Sequence, residues 1–202
     1  MIHGPKFKLC RRLGSGVFEK CQTAKFTSSE ARHKKKVGGK RPKALSEFGS
    51  QLVEKQKIRF SYGVSEKQFS NYVKKATEVK NGSVADALFE SLEQRLDNTV
   101  YRMGFAHTRA LARQMVSHGH FLVNGVRTTV PSYAIKPGSK ISVREGSRGS
   151  VMFADLAKKL NNYTFPVWLS VSPEKMEAEV KDKPKNKEGF LDFNTVLEFY
   201  SR

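Results

Sequence analysis

Cysteine is scarce, with two in 202 residues. That is too few for a disulfide framework, and it fits a reducing compartment. No apolar run approaches the ~18 residues of a membrane span, and the N-terminus lacks the apolar core of a signal peptide. Acidic residues are also few: 19 against 37 Lys and Arg, for a net charge of +18. Such a field favours a polyanion, nucleic acid before an anionic membrane. No nucleotide-binding glycine pattern is present, because Gly14-Ser15-Gly16 lacks the strand and helix context such motifs need. No recognisable arrangement of Ser, His and acid points to catalysis, so the expectation is a protein that is not an enzyme and takes no cofactor. Cys10 and Cys21 lie eleven apart with His3 and His33 outside them. A structural zinc site wants closer cysteine pairs, so these read as ordinary small residues and no metal is expected.

What is present is positive charge in two places. Residues 1–45 hold 13 Lys and Arg against 2 Glu, and residues 95–150 hold 9 against 2 acids. Residues 46–94 hold 7 of each sign and residues 151–202 hold 8 of each. A protein that is merely soluble would spread its charge. Two basic segments alternating with two balanced ones predict two polyanion-binding surfaces and a supporting body.

Residues 1–45 read as a basic arm with little periodicity. Its dense patches carry Lys6, Lys8, Arg11 and Arg12, then Lys34, Lys35, Lys36, Lys40 and Arg41. Gly38-Gly39 and Arg41-Pro42 oppose regular structure. Ser46 and Ser65 are expected to cap two helices. Asn81-Gly82 is a turn. Val84, Leu88, Leu92, Leu96, Val100 and Met103 then recur every three or four residues, which predicts one amphipathic helix of about five turns. Gly104 is placed to end it, and Thr108 to cap the next helix, which Gly119 stops. Leu111, Ala112, Met115 and Val116 form the inner face of that helix, with Arg109, Arg113 and Ser117 beside it. Asn124-Gly125 is a two-residue hairpin signal between Phe121–Val123 and the returning strand. Pro137-Gly138 precedes another strand at Ile141–Arg144. A short helix at 153–160, a strand at 167–171, a charged linker and a last apolar element capped by Asn194 complete the chain.

The expected fold is α+β and mostly helical. It comprises the arm (1–45), a helical domain (46–94, completed by 172–202) and a module of two helices on a small antiparallel sheet (95–171). Candidate RNA-binding groups in the module are Arg95, Arg102, His107, Thr108, Arg109, Arg113, Ser117 and His118. Arginine forks and hydroxyls suit phosphate oxygens, and RNA helices display phosphates and 2′-hydroxyls rather than base edges. His120, ahead of an apolar strand, reads as structural, and Tyr101, Phe105 and Trp168 as core.

The stretch RLDNTVYRMGFAHTRALARQMVSHGHFLVNG resembles the S4 RNA-binding domain, in the form found in the bacterial and organellar small-subunit ribosomal protein S4 family. GPKFKLCRR, LSEFGSQLVEKQKIRFSYGVSEKQF, WLSV and the terminal VLEFYSR extend the resemblance over most of the chain. It implies an early-binding assembly protein that holds a junction in the 5′ domain of 16S rRNA. It also implies contacts with small-subunit neighbours, S5 and S3, an influence on decoding accuracy, and a position where mRNA enters the subunit. A cytoplasmic or organellar ribosome is the implied location. Some family members carry four zinc-ligating cysteines in the N-terminal segment; this chain has two. Two other classes are weighed: an accessory RNA-binding module of an RNA-modifying enzyme, and a DNA-binding helix-turn-helix regulator.

Overall fold

Helix boundaries follow local chemistry closely. The computed structural model describes residues 5–37, 44–79, 82–154, 156–160, 163–185 and 189–201. In the arm, α1 spans Lys6–Leu13, two short 3-10 turns cover Ser15–Val17 and Glu19–Gln22, and α2 spans Ala24–Val37. This is more regular than the composition predicts. The reason is a small core of Cys10, Cys21 and Phe26 with Phe7 and Phe18 packed against it. Cys10 and Cys21 form a disulfide, Cα–Cα 6.4 Å. That corrects the reading of both as ordinary small residues: α1 and the second 3-10 turn bring them together, which spacing alone does not reveal. The Gly38-Gly39 and Arg41-Pro42 steps, Asn81 and part of the charged linker lie outside the described residues.

Next come α3 (Glu47–Tyr62) and α4 (Glu66–Thr77). The Ser46 hydroxyl accepts the Gly49 N–H, and Ser65 and Gln68 form a reciprocal capping box, as expected of serines at those positions. α5 spans Val84–Glu93 and α6 Leu96–Arg102. The single five-turn helix expected here is therefore two. Arg95 adopts an extended backbone and bridges Ala134, while the Leu96 and Asp97 N–H groups donate to the carbonyls of Tyr133 and Pro131. The apolar stripe runs on across the break, so periodicity alone could not detect it. At the end of α6, Gly104 has φ +74, and a Cβ there would lie 2.5 Å from Leu160 Cδ2. Only glycine meets both demands.

α7 spans Arg109–Ser117, capped by the Thr108 hydroxyl accepting from Leu111 N–H. β1 (Phe121–Val123) and β2 (Val126–Arg127) form the Asn124-Gly125 hairpin, and β3 (Lys140–Val143) pairs with β1. After α8 (Glu145–Arg148) and α9 (Leu156–Leu160), β4 (Leu169–Ser172) and β5 (Glu177–Val180) follow. β5 pairs with β3, giving one antiparallel sheet in the order β2-β1-β3-β5-β4. The sheet thus passes the expected boundary at 171, because Ala178 and Val180 supply inward side chains beyond it. α10 (Phe193–Tyr200) is capped by Asp192, whose carboxylate accepts from the N–H groups of Asn194 and Thr195. Asn194, the expected cap, is instead the second residue of the helix.

The chain divides into two compact units, Met1–Leu88 with Lys187–Arg202, and Phe89–Asn186. In the first, α10 packs on α3. Buried Lys55 bonds Glu66 at 2.7 Å and lies over the Phe199 ring at 4.4 Å, and Tyr200 donates to Glu66 at 2.9 Å. Burial raises the Glu66 pKa, but the hydrogen bonds from Lys55 and Tyr200 and the charges of Lys55 and Arg59 outweigh it, so the net shift is downward. In the second unit, α6, α7, α9 and the inner sheet face share one core that includes Leu96, Met103, Met115, Phe121, Ile141 and Phe153. Among the described residues, no helix is long and apolar enough to cross a membrane.

Candidate nucleic-acid interface

The two helices of the module place four arginines around two acids. Asp97, second residue of α6, is 2% exposed. It takes two bonds from Arg95 (Nε to Oδ1 3.1 Å, Nη2 to Oδ2 2.8 Å) and two from Arg113 of α7 (Nε 2.8 Å and Nη2 2.7 Å, both to Oδ2). Glu93, at the end of α5 and 1% exposed, takes both prongs of Arg102, each at 2.9 Å. Asn98 joins the two sets. Its amide donates to Glu93 Oε2 at 2.9 Å, its backbone N–H donates to Asp97 Oδ1 at 2.9 Å, and its carbonyl oxygen accepts from Arg109 Nε at 2.7 Å. The Arg109 guanidinium lies 4.4 Å from the Tyr101 ring centroid.

The physical effect is preorganisation. A long arginine side chain held by a paired carboxylate or amide has already lost rotamer freedom, so less is lost when it meets a phosphate. Arg102, Arg109 and Arg113 are partly exposed and held in this way. Arg95 is 3% exposed, so it faces the interior, not a ligand. Its expected outward role is corrected: the backbone bridge to Ala134 turns this residue inward, and its charge holds Asp97 in place. Glu93, Asp97 and Asn98 escape sequence reasoning because, Arg95 beside Asp97 apart, the side chains that hold them together stand five to sixteen residues away. The one available signal is the run Asp97-Asn98 within an otherwise apolar stripe.

The other candidates are placed individually. His107, Ser117 and His118 are exposed. Thr108 is partly exposed, and its oxygen serves as the α7 cap. Tyr163 lies near Arg102 and Arg109. Burial raises its phenol pKa while those two charges act in the opposite direction. On α1, Lys6, Lys8, Arg11 and Arg12 are all exposed, and Arg11 donates to Ser29 Oγ at 3.0 Å. Lys34, Lys35 and Lys36 fall within α2, but their side chains lie outside the described set, as do Lys40 and Arg41 altogether. Among the described residues, no group of three or more His, Cys, Asp or Glu side chains could hold a metal ion.

Two helices ending in Gly104 and Gly119, braced on an antiparallel sheet with arginines along the helix pair, define an S4-type domain. Residues 94–141 match the S4 domain, and residues 1–93 match the Ribosomal protein S4/S9 N-terminal domain. Relatives named small ribosomal subunit protein uS4 extend the match. Those of Laribacter hongkongensis, Alcanivorax borkumensis and Chromobacterium violaceum are 44%, 41% and 43% identical, each with 98% of both chains covered. The chain belongs to the uS4 family of small ribosomal subunit proteins.

Proposed function

We propose that the chain binds 16S rRNA as an early assembly protein and holds a helical junction of its 5′ domain, in contact with small-subunit neighbours that include S5 and S3. The observation that carries this is the set of arginines from α6 and α7, fixed in place by buried Glu93, Asp97 and Asn98. A folded junction presents backbone, not base edges, and fixed guanidinium groups read backbone geometry. The arm supplies a second basic surface, with Lys6, Lys8, Arg11 and Arg12 exposed along α1. A cytoplasmic ribosome, a contribution to decoding accuracy and proximity to incoming mRNA belong to the same proposal and rest on family membership.

The test is equilibrium binding to a 5′-domain rRNA fragment beside an unrelated structured RNA of equal length. Specific, salt-sensitive binding is expected: neutralising ~6–10 phosphates costs roughly 10³–10⁵ in affinity from low to physiological salt, by analogy with duplex DNA. Equal affinity for the two RNAs at every salt concentration sinks the proposal.

A further inference from the structure

The end of α7 opposite its Thr108 cap carries cations that the Glu93 and Asp97 network does not reach. Arg127 leaves β2 and donates Nη2 to the His118 carbonyl at 3.3 Å. Its guanidinium rests against Gly119: a Cβ on that residue would lie 2.3 Å from Arg127 Nε and 2.8 Å from Cζ. Gly119 also has φ +75, so the turn favours glycine here, and its missing side chain leaves the space the Arg127 guanidinium occupies. A cation at a helix C-terminus is favoured by the unpaired carbonyls there. The antiparallel register sets Phe121 against Val143, and the Arg144 N–H donates to the His120 carbonyl at 2.9 Å. Arg144 therefore emerges at the same end of the sheet. The His118 and His120 rings are 6.0 Å apart, and His120 is anchored by Ser147 Oγ at 2.9 Å.

Among the described residues, neither Arg127 nor Arg144 has a carboxylate within ion-pair distance, although exposed Glu145 adjoins Arg144 in the chain. Arg148 does have one, Glu177 at 3.7 Å, and is left out. The His120 pKa is lowered by burial first, then by His118, Arg144 and Arg127, so the groups that act on it through charge are all basic. His118, Arg127 and Arg144 are exposed.

We propose that Arg127, Arg144 and His118 form a second phosphate-binding site for the RNA backbone, at the C-terminal end of α7 and separate from the arginines held by Glu93 and Asp97. The proposal rests on the reading that this chain binds RNA. The ligand class is a phosphodiester backbone, since the site offers two guanidinium forks and a ring N–H, all donors suited to phosphate oxygens.

The test uses the full chain and the 5′-domain rRNA fragment. The wild-type chain is titrated first across a salt series, followed by Arg127→Gln, Arg144→Gln and the double variant. The double variant is expected to bind about 10- to 100-fold more weakly, with the slope of log affinity against log salt reduced by about two phosphate contacts. Thermal unfolding of each variant separates this from a folding defect. Arg127→Lys is expected to keep the salt slope, because the charge remains. If the wild type binds the fragment specifically and the double variant shows the same affinity and slope, the second site is overturned while the proposed function stands. If the wild type itself does not discriminate the fragment, the proposed function falls first.

Discussion

Two basic surfaces of this chain are built on opposite plans. On α1, Lys6, Lys8, Arg11 and Arg12 are exposed around a core of one disulfide and three phenylalanines. On α6 and α7, Arg95, Arg102 and Arg113 each bond a nearly fully buried carboxylate. The first surface keeps most of its charge for a ligand. The second spends part of its charge on the fold and gains fixed geometry. Counting Lys and Arg therefore ranks the surfaces by field, while pairing ranks them by shape. The first is suited to attraction at long range, the second to discrimination at contact.

The comparison breaks most sharply at Asp97. Asp97→Ala leaves the buried Arg95 guanidinium without its acid, and removing one partner of a buried ion pair costs about 3–5 kcal/mol. Denaturant unfolding of the second unit should show that loss, with Lys8→Ala as a control that leaves unfolding unchanged. Next is the arm. Reducing Cys10–Cys21, or replacing both with serine, removes a clip whose cysteines stand eleven apart. Loop-closure entropy assigns such a clip about 2–3 kcal/mol. Proteolysis of α1 should accelerate on reduction while the second unit stays protected.

Third, Arg109→Ala with Arg113→Ala should weaken rRNA binding about 10- to 100-fold and also lower stability, since Arg113 bonds Asp97. Lys8→Ala with Arg12→Ala should lower the salt slope by about two and leave stability unchanged. If the two pairs of variants behave alike, the distinction between the surfaces collapses. The smallest effect concerns Glu66. Its folded pKa lies below its ordinary value, so its contribution is complete above the ordinary carboxylate range and is lost as pH falls through the lower folded value. With 45% of its side chain exposed, Glu66→Gln should cost less than about 1 kcal/mol at neutral pH. The variant should also lose less stability than the wild type during an acid titration.

Much of this architecture is legible in short-range signals. Ser46, Ser65 and Thr108 cap helices because their hydroxyls meet N–H groups three residues on. Gly104 and Gly119 end helices, and Asn124-Gly125 turns a hairpin, for reasons equally local. Features set by distant parts of the chain were not legible. The break at Arg95 and the burial of its side chain depend on residues 131–134, and the Cys10–Cys21 bond on the fold of the arm. The arginines of α7 could be placed on a face, but the acids that hold them could not, because ion pairs between helices carry no sequence period.

The sheet order has a bearing on how the chain is made. β3 is the central strand, with β1 on one side and β5 on the other, yet β5 is synthesised more than thirty residues after β3. Until Val180 has emerged during translation, β3 presents a row of unpaired N–H and carbonyl groups along one edge. Such an edge is the kind that recruits another strand. The S4 domain match stops at residue 141, inside β3. A fragment cut there would keep the helix pair and the arginines of α7 but lose half of the sheet that supports them, and it should aggregate more readily than the 202-residue chain at equal concentration.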